Sequence, residues 1–558
     1  MNSITPILPD TISFIPLGGI GDVTKNMYLY EYGDEILIVD CGLGFADETM
    51  IGVDLLLPDI TYLIQTKKKI VGMVLTHGHE DHIGAVPFIL PQIPQQFPIF
   101  ASPLTAAFTN AKLKEFEIGT RVQVVNFDDP NRSIGKFNIS FIRITHSVPD
   151  TANILITTPV GSFYHGSDFK FDLTPADGNK TDFEAIAQAG AKNILCLLSD
   201  CLGSDRPGNT PSEEGLSENF EKELKDVTGK CIITTYSSNI SRLNQAIDVA
   251  SKLNRRICFV GRSLIRAKEI AVQLGYMKIR DGLEVSIDQL KKYPDNQQLL
   301  LVAGSQGQEN SALSRMANGE HKDVAMSTDD VVIFSSDAIP GNEVLVNSLV
   351  DSLARRGVRV INSSSSSLFH VSGHGSMQEL LLMISLTKPR FLIPIGGTYR
   401  HMVAYQNLSE KIGYKKEDVF LLDSGQELIF SKNSVRRGKK ISTKNVYVDE
   451  VSGGEVDHYV LRDRQRLSEG GIVVVMVEVD AETGELIAAP DILIRGFIVD
   501  DKKLISKLYI DIKNALGNKK VKVTNWALLR KRISDVSEKR IFREFRRRPL
   551  VLPVIVEA

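Results

Sequence analysis

Cysteine is scarce in this chain, and what there is does not pair. The five cysteines stand at 41, 196, 201, 231 and 258, with no Cys-x-x-Cys spacing. That argues against a disulfide framework and a thiolate zinc site, and it fits a reducing, cytoplasmic setting. Long apolar runs are missing too. No stretch approaches the ~18 residues of a membrane span, so no membrane association is expected. The opening residues, Met1-Asn2-Ser3-Ile4-Thr5-Pro6, show no basic region followed by an apolar one, so a secretory leader is not expected. There is no surplus of positive charge. Lys and Arg number 65 against 68 Asp and Glu, a formal net charge of -3, so any nucleic acid must be held by local patches. With 43% apolar and 24% charged residues, 558 residues read as a globular chain of two to four domains.

Histidine is also rare, with ten in the chain, yet three of them fall within Thr76-His77-Gly78-His79-Glu80-Asp81-His82. The apolar run Ile70–Leu75 precedes them, so the cluster sits where a strand ends. Imidazole nitrogen with carboxylate oxygen suits zinc or a similar divalent ion. Two later strand-like runs end in chemistry of the same kind, one at His146 and one at Asp168. Ligands delivered from several strand ends onto one face are how an α/β scaffold builds a metal site. Upstream, runs at 27–32 and 35–40 read as a hairpin around Gly33-Asp34, and the second ends in Asp40, a carboxylate able to orient a ligand. Gly18-Gly19-Ile20-Gly21-Asp22 reads as a turn rather than a phosphate loop, because no Gly-Lys-Ser/Thr follows.

His77-x-His79-x-Asp81-His82, His146 and Asp168 together resemble the metallo-β-lactamase superfamily. The resemblance implies an αββα sandwich with two zinc ions per subunit. It implies that His77, His79 and His146 hold one ion, Asp81 and His82 the other, and Asp168 bridges. Asp40 matches the superfamily's first strand-end carboxylate.

From about 215 to 365 the pattern becomes short apolar strands alternating with helices, a βαβ series with a parallel sheet. The turn Arg206–Glu213 leads into it, with Ser212 a candidate helix cap. Its strand-end loops, which include Ser237-Ser238 and Arg262-Ser263, are hydroxyl- and amide-rich and suit phosphate and sugar. Asp200, Gly304-Ser305-Gln306-Gly307, Ile339–Glu343 and His370-Val371-Ser372-Gly373-His374 resemble the β-CASP nucleases, and among them the ribonuclease J family, over essentially the whole chain.

The implied division is residues 1–205 and 368–440 for the lactamase-type domain, 206–367 for the inserted β-CASP domain, 441–454 for a linker and 455–558 for a small C-terminal α+β domain. The stretch Ser434–Lys440 reads as basic and loop-like, and Arg546-Arg547-Arg548 as an RNA-contacting patch or a solvated face.

The implied activity is zinc-dependent hydrolysis of RNA. It would run 5′ to 3′ from 5′-monophosphate ends with some internal cutting, in RNA maturation and decay, by a dimer or higher homo-oligomer. Asp81, Asp200 and His374 are the expected catalytic residues, with His374 as general acid. Ser237, Ser238, Arg262, Ser263, His370, Ser372 and Ser376 are expected to bind substrate. One departure from the family stands out. Gly396-Gly397-Thr398 occupies the place of a His-Gly-Glu whose histidine completes the second zinc's ligands, and His401 is the nearest substitute. Two other readings follow: an RNA-binding protein with an impaired metal site, and a small-molecule metallohydrolase.

Overall fold

In the computed structural model, the apolar runs become the strands of two facing sheets. The structure describes residues 10–47, 49–363, 365–449, 454–480, 487–496, 501–517 and 526–557. One sheet has eight strands, with Thr11–Pro16, Tyr28–Tyr32, Glu35–Val39 and Lys69–Leu75 at its centre. The other has six, running from Phe391–Ile395 through Ile194–Asp200, Ser162–Gly166 and Ala152–Thr157 to Phe137–Arg143 and Asn131–Ile134. Tyr28–Tyr32 and Glu35–Val39 form the expected hairpin, with Tyr32 opposite Glu35.

Phe14, Phe163 and Phe430 lie fully buried between the sheets. Burying each is worth about 1.5–3 kcal/mol. Tyr30 meets Phe163 edge-on at 5.5 Å. Helices including Pro103–Glu115, Phe183–Gly190, Met377–Thr387 and Tyr399–Glu410 accompany the sheets.

The inserted segment forms its own five-stranded sheet, in the order Arg256–Val260, Gln298–Val302, Cys231–Thr234, Val331–Phe334, Arg359–Ile361. Every pairing in it is parallel, as the alternating strand and helix pattern requires. Where the chain crosses between the two parts, a charged network is buried. Arg242 bonds both oxygens of Glu213 at 2.7–3.1 Å, and Lys170 lies 3.6 Å from Glu213 and 3.4 Å from Asp172. Arg242 Nη1 also donates to the carbonyl of Ser335.

Two details differ from expectation. Val435–Lys440 is a strand, not a loop, at the margin of the eight-stranded sheet. An edge strand needs pairing on one side only and carries charge easily, so its basic sequence conceals it. Ser212 does not cap a helix. Its hydroxyl donates to the carbonyl of Thr174, and the helix begins later, at Leu216, with Gly215 before it.

Two compact units divide the chain, one of residues 1–45 and 56–446, the other of 46–55 and 447–558. In the second, Asp491–Arg495, Ile472–Val479 and Leu550–Glu557 make a three-stranded sheet. Helices Asp501–Gly517 and Trp526–Phe545 accompany it. The helix His458–Gly470 was not legible in the sequence. Among Arg546–Arg548, two guanidinium groups lie over the Phe542 ring and Arg547 donates to the carbonyl of Glu469. No described helix is long and apolar enough to cross a membrane.

Candidate metal centre

The strand Lys69–Leu75 ends at Thr76, and the short helix Glu80–Ile83 follows. His77 and His79 lie on the extended stretch between them, while Asp81 and His82 lie in the first turn of the helix. His146 follows Phe137–Arg143, and Asp168 follows Ser162–Gly166. Residues far apart in sequence thus meet because both sheets end at one place.

Each imidazole has one nitrogen held by a neighbour; the other nitrogens of His77, His79 and His146 converge, and that of His82 faces Asp81 and Asp168. His146 Nδ1 donates to the carbonyl of Gly373 at 2.7 Å. His82 Nδ1 is 2.7 Å from Asp40 Oδ2, and His77 Nδ1 is 3.1 Å from Thr76 Oγ1. Ser147 Oγ is 3.2 Å from His79 Nε2. Partners of this kind fix the tautomer and leave the opposite lone pair free for a ligand. Asp40 also accepts from the amide and hydroxyl of Thr76, at 2.8 Å each. It holds φ at +61°, a conformation that costs an aspartate about 1–3 kcal/mol and often accompanies functional sites.

His79 Nδ1 lies 3.1 Å from both His77 Nε2 and His146 Nε2. Asp168 Oδ2 is 3.7 Å from His77 Nε2, 3.9 Å from His146 Nε2 and 3.4 Å from His82 Nε2. Three groups among the described residues have ligand atoms within 4.8 Å of one another and could hold an ion: His77, His79, His146 and Asp168; Asp81, His82 and Asp168; and Asp168, Asp200 and His374. Burial keeps His77 and His146 below their usual range and pushes His79 down to about 3. Neutral imidazoles whose lone pairs converge call for a cation between them, so the donor set fits a bound metal.

Around these ligands the electrostatics favour negative charge on Asp168. Burial alone would raise its carboxyl, but His82 and His374 outweigh burial and hold it well below the carboxylate range. For His82 burial works downward, and Asp168, Asp81 and Asp40 overcome it. Burial pushes Asp81 up to about 6.

His374 faces this cluster from the segment that returns from the insertion. Its Nδ1 is 2.7 Å from Asp200 Oδ2, at the end of the strand Ile194–Asp200, and its Nε2 is 3.9 Å from Asp168 Oδ2. Burial lowers the His374 pKa, but Asp200 and Asp168 more than reverse that and hold it above the ordinary value. A cavity of about 440 Å³ opens in front of these groups. His79, Asp81, Asp168 and His374 line one part of it, and Ser237, Ser238, His370 and Ser372 another.

Not every expected substrate contact reaches this cavity. Arg262 and Ser263 are exposed at the start of the helix Arg262–Gln273 and are absent from the lining, because that strand-end loop belongs to the far edge of the five-stranded sheet. Ser376 is buried, caps the helix Met377–Thr387 with Glu379 and bonds Thr210 at 3.0 Å. Its hydroxyl is used by the fold, and it too is absent from the lining. His401 bonds Thr398 through Nδ1 and lies 3.6 Å from Asp205 through Nε2, outside all three groups. At Gly396, φ is +65°, and an added Cβ would meet only Asp168 Oδ1, at 3.5 Å.

Some contributors carry no sequence signal. Asn26 donates to the carbonyl of Asp81 and lies 3.1 Å from His82 Nε2. Only the fold brings it there, and nothing in the surrounding sequence marks it. Ser147 could have been suspected from its position beside His146.

Comparison with known proteins agrees with this architecture. Residues 20–190 match the metallo-beta-lactamase superfamily, 228–353 the ribonuclease J beta-CASP domain, and 459–558 the ribonuclease J C-terminal domain. Ribonuclease J2 of Bacillus subtilis is 35% identical over 554 residues, covering 98% of this chain and 99% of that one. Ribonuclease J 1 of Streptococcus pyogenes is 36% identical over 98% of both chains, and ribonuclease J of Thermus thermophilus is 35% identical over 98% of this chain and 96% of its own. A crystal structure of a protein of unknown function from Enterococcus faecalis shares the fold, with a TM-score of 0.55 at 15% identity over 75% of this chain and all of its own. With two facing sheets, a β-CASP insertion and full-length relatives above 30% identity, the chain belongs to the ribonuclease J family of the metallo-β-lactamase superfamily.

Proposed function

We propose that this protein hydrolyses RNA phosphodiester bonds with two zinc ions, acting 5′ to 3′ from 5′-monophosphate ends and also cutting internally. The observation that carries this reading is the convergence of His77, His79, His146 and Asp168 opposite the His374–Asp200 pair, in a cavity shared with hydroxyl-rich loops of the insertion. The names of the relatives support RNA as the substrate. His77, His79, His146 and Asp168 would hold one ion, and Asp81, His82 and Asp168 the other. Nitrogen and carboxylate donors without thiolate suit zinc. Ions held there would supply Lewis-acid polarisation of the phosphodiester and activation of the attacking water.

The chain's own residues do the remaining work. Asp200 holds His374 by its Nδ1 and favours the protonated ring, so Nε2 carries a proton toward the cluster. From there it protonates the leaving oxygen, a role suited to imidazole near neutral pH. Ser237, Ser238, His370 and Ser372 take a terminal phosphate, which sets the register of cleavage. Five buried free cysteines fit work in the reducing cytoplasm, in RNA maturation and decay.

A second reading rests on Gly396. With no side chain there, three protein residues remain for the second ion, and a chain with that site impaired would bind RNA without cutting it. Zinc content per chain, measured beside digestion of end-labelled RNA, separates the two. Expected are two zinc ions, faster loss of 5′-monophosphate than 5′-hydroxyl RNA, and loss of activity with a chelator. Intact RNA with fully loaded protein would sink the nuclease reading.

A further inference from the structure

Arg206 stands where the chain leaves the lactamase-type part for the insertion, and its side chain lines the same cavity as Asp81, Asp168 and His374. Its backbone is fixed on both sides. The amide donates to the carbonyl of Gly203 at 3.1 Å, and its carbonyl accepts from Met377 at 3.0 Å. The guanidinium lies over Gly203. A Cβ at that position would come within 2.9 Å of Arg206 Nη2 and 2.0 Å of the carbonyl of Gly375, beside His374. Glycine is therefore what lets this cation approach the His374 turn.

The other positive groups at this end of the cavity are engaged. Arg400 pairs with Asp205 at 3.3 Å, and His401 lies 3.6 Å from the same carboxylate. Arg206 has no ion pair and no side-chain hydrogen bond among the described residues, although Asp337 and Asp168 line the same cavity. Its charge is felt nearby, because it works to lower the His374 and Asp337 pKa values. A partly shielded guanidinium presents a rigid fork of N–H donors that matches phosphate oxygens. Left unpaired among carboxylates, it lacks only an anion.

We infer that Arg206 is a substrate-binding residue whose guanidinium takes a phosphate of the RNA strand lying in the cavity beside His374. This rests on the ribonuclease reading above. The phosphate has two possible sources, an internal phosphodiester or the 5′-terminal group, and the chemistry of recognition is shared.

The test uses zinc-loaded full-length protein and a fluorescent single-stranded RNA decamer, 2′-O-methylated and phosphorothioate-linked to resist cleavage. It is made with a 5′-monophosphate or a 5′-hydroxyl. Affinity is read by anisotropy between 50 and 200 mM salt, a range over which phosphate contacts show clearly. R206Q is expected to bind about tenfold more weakly, as loss of a charged hydrogen bond implies. Its plot of log affinity against log salt should be shallower by about 0.7, the share of one single-strand phosphate. R206K keeps the charge and should keep the slope, with a smaller loss of affinity. On cleavable RNA, KM should rise with kcat little changed.

Equal losses with both 5′ ends assign an internal phosphodiester, and a loss confined to the monophosphate assigns the terminal group. If the wild type binds with a steep salt slope and R206Q matches it in affinity and slope, Arg206 is not a phosphate contact. A lowered thermal midpoint with an unchanged slope would equally overturn the proposal in favour of a structural role. If the wild type itself shows no salt-dependent RNA binding, it is the ribonuclease reading that fails.

Discussion

A histidine ligand is useful only when its second nitrogen is held, and here each holder is a particular residue. Asp40 does this for His82, Thr76 for His77, Ser147 for His79 and the carbonyl of Gly373 for His146. Asp200 plays the corresponding part for His374, which is why its loss should show in catalysis and not in metal content. D200N keeps the shape but removes the charge that favours the protonated ring. We expect kcat for RNA cleavage to fall by about a hundredfold or more, a typical share for general-acid catalysis, with zinc per chain unchanged. A D200N protein that cleaves at the wild-type rate would remove Asp200 from the mechanism. The candidate ligands were legible in sequence because six residues hold so many of them. Their holders were less so, since a threonine or a glycine carbonyl carries no signal of its own.

At the level of elements, the strand end decides what a residue can reach. Gly396 follows the strand Phe391–Ile395, directly beside Asp168, whereas His401 lies in the helix Tyr399–Glu410, where its ring serves Thr398 and Asp205. Five residues of separation thus exclude the substitution that spacing left open. G396H should return a ligand to the group of Asp81, His82 and Asp168. We expect more zinc retained per chain after dialysis, measured by metal analysis. The positive φ at this position should lower stability by about 1–3 kcal/mol, read from denaturant unfolding. Unchanged zinc retention would show that the second group does not depend on this position. The loops of the insertion show the same principle. Ser237 and Ser238 reach the cavity from the central strand Cys231–Thr234, while Arg262 follows the edge strand Arg256–Val260 and remains outside.

Across the molecule, the lactamase-type part and the insertion are joined by buried charge. Burial pushes the Glu213 carboxyl up, but Arg242 and Lys170 outweigh it and hold it below its ordinary 4.5. A carboxylate depressed in the folded state contributes stability above its unfolded pKa, and that contribution is lost as pH falls through the folded value. Stability should therefore drop as pH falls below about 4.5, and E213Q should lose that part of the acid dependence. At neutral pH, E213Q leaves Arg242 and Lys170 short of a partner and should destabilise by about 3–5 kcal/mol, measured by urea unfolding. An E213Q protein as stable as wild type at pH 7 would mean the network is not a join.

In the C-terminal unit, Val473, Val475 and Val477 are buried on one face of the sheet, while Met476, Leu493, Leu552, Val554 and Val556 are exposed on the other. The register sets Leu493 and Leu552 beside Val474, and Val554 beside Met476, so these side chains form a continuous apolar strip. Such a strip is what a self-associating surface needs, and we propose it as the face through which the expected dimer would form. L552K is expected to shift the protein toward monomer in sedimentation analysis, and an unchanged sedimentation coefficient would exclude this face.

The sequence by itself determined the chemistry: a histidine and aspartate cluster at a strand end, later strand ends bearing His146, Asp168 and Asp200, and a βαβ insertion. Periodicity and residue type are local properties, and these features are local. What only the tertiary structure decided is which residues share a space. It brought Asn26 against His82 and Arg206 to the cavity, left Arg262 and Ser263 outside it, and turned the basic stretch at 435–440 into an edge strand. Those outcomes depend on strand order and on where two sheets end, and no local pattern encodes either.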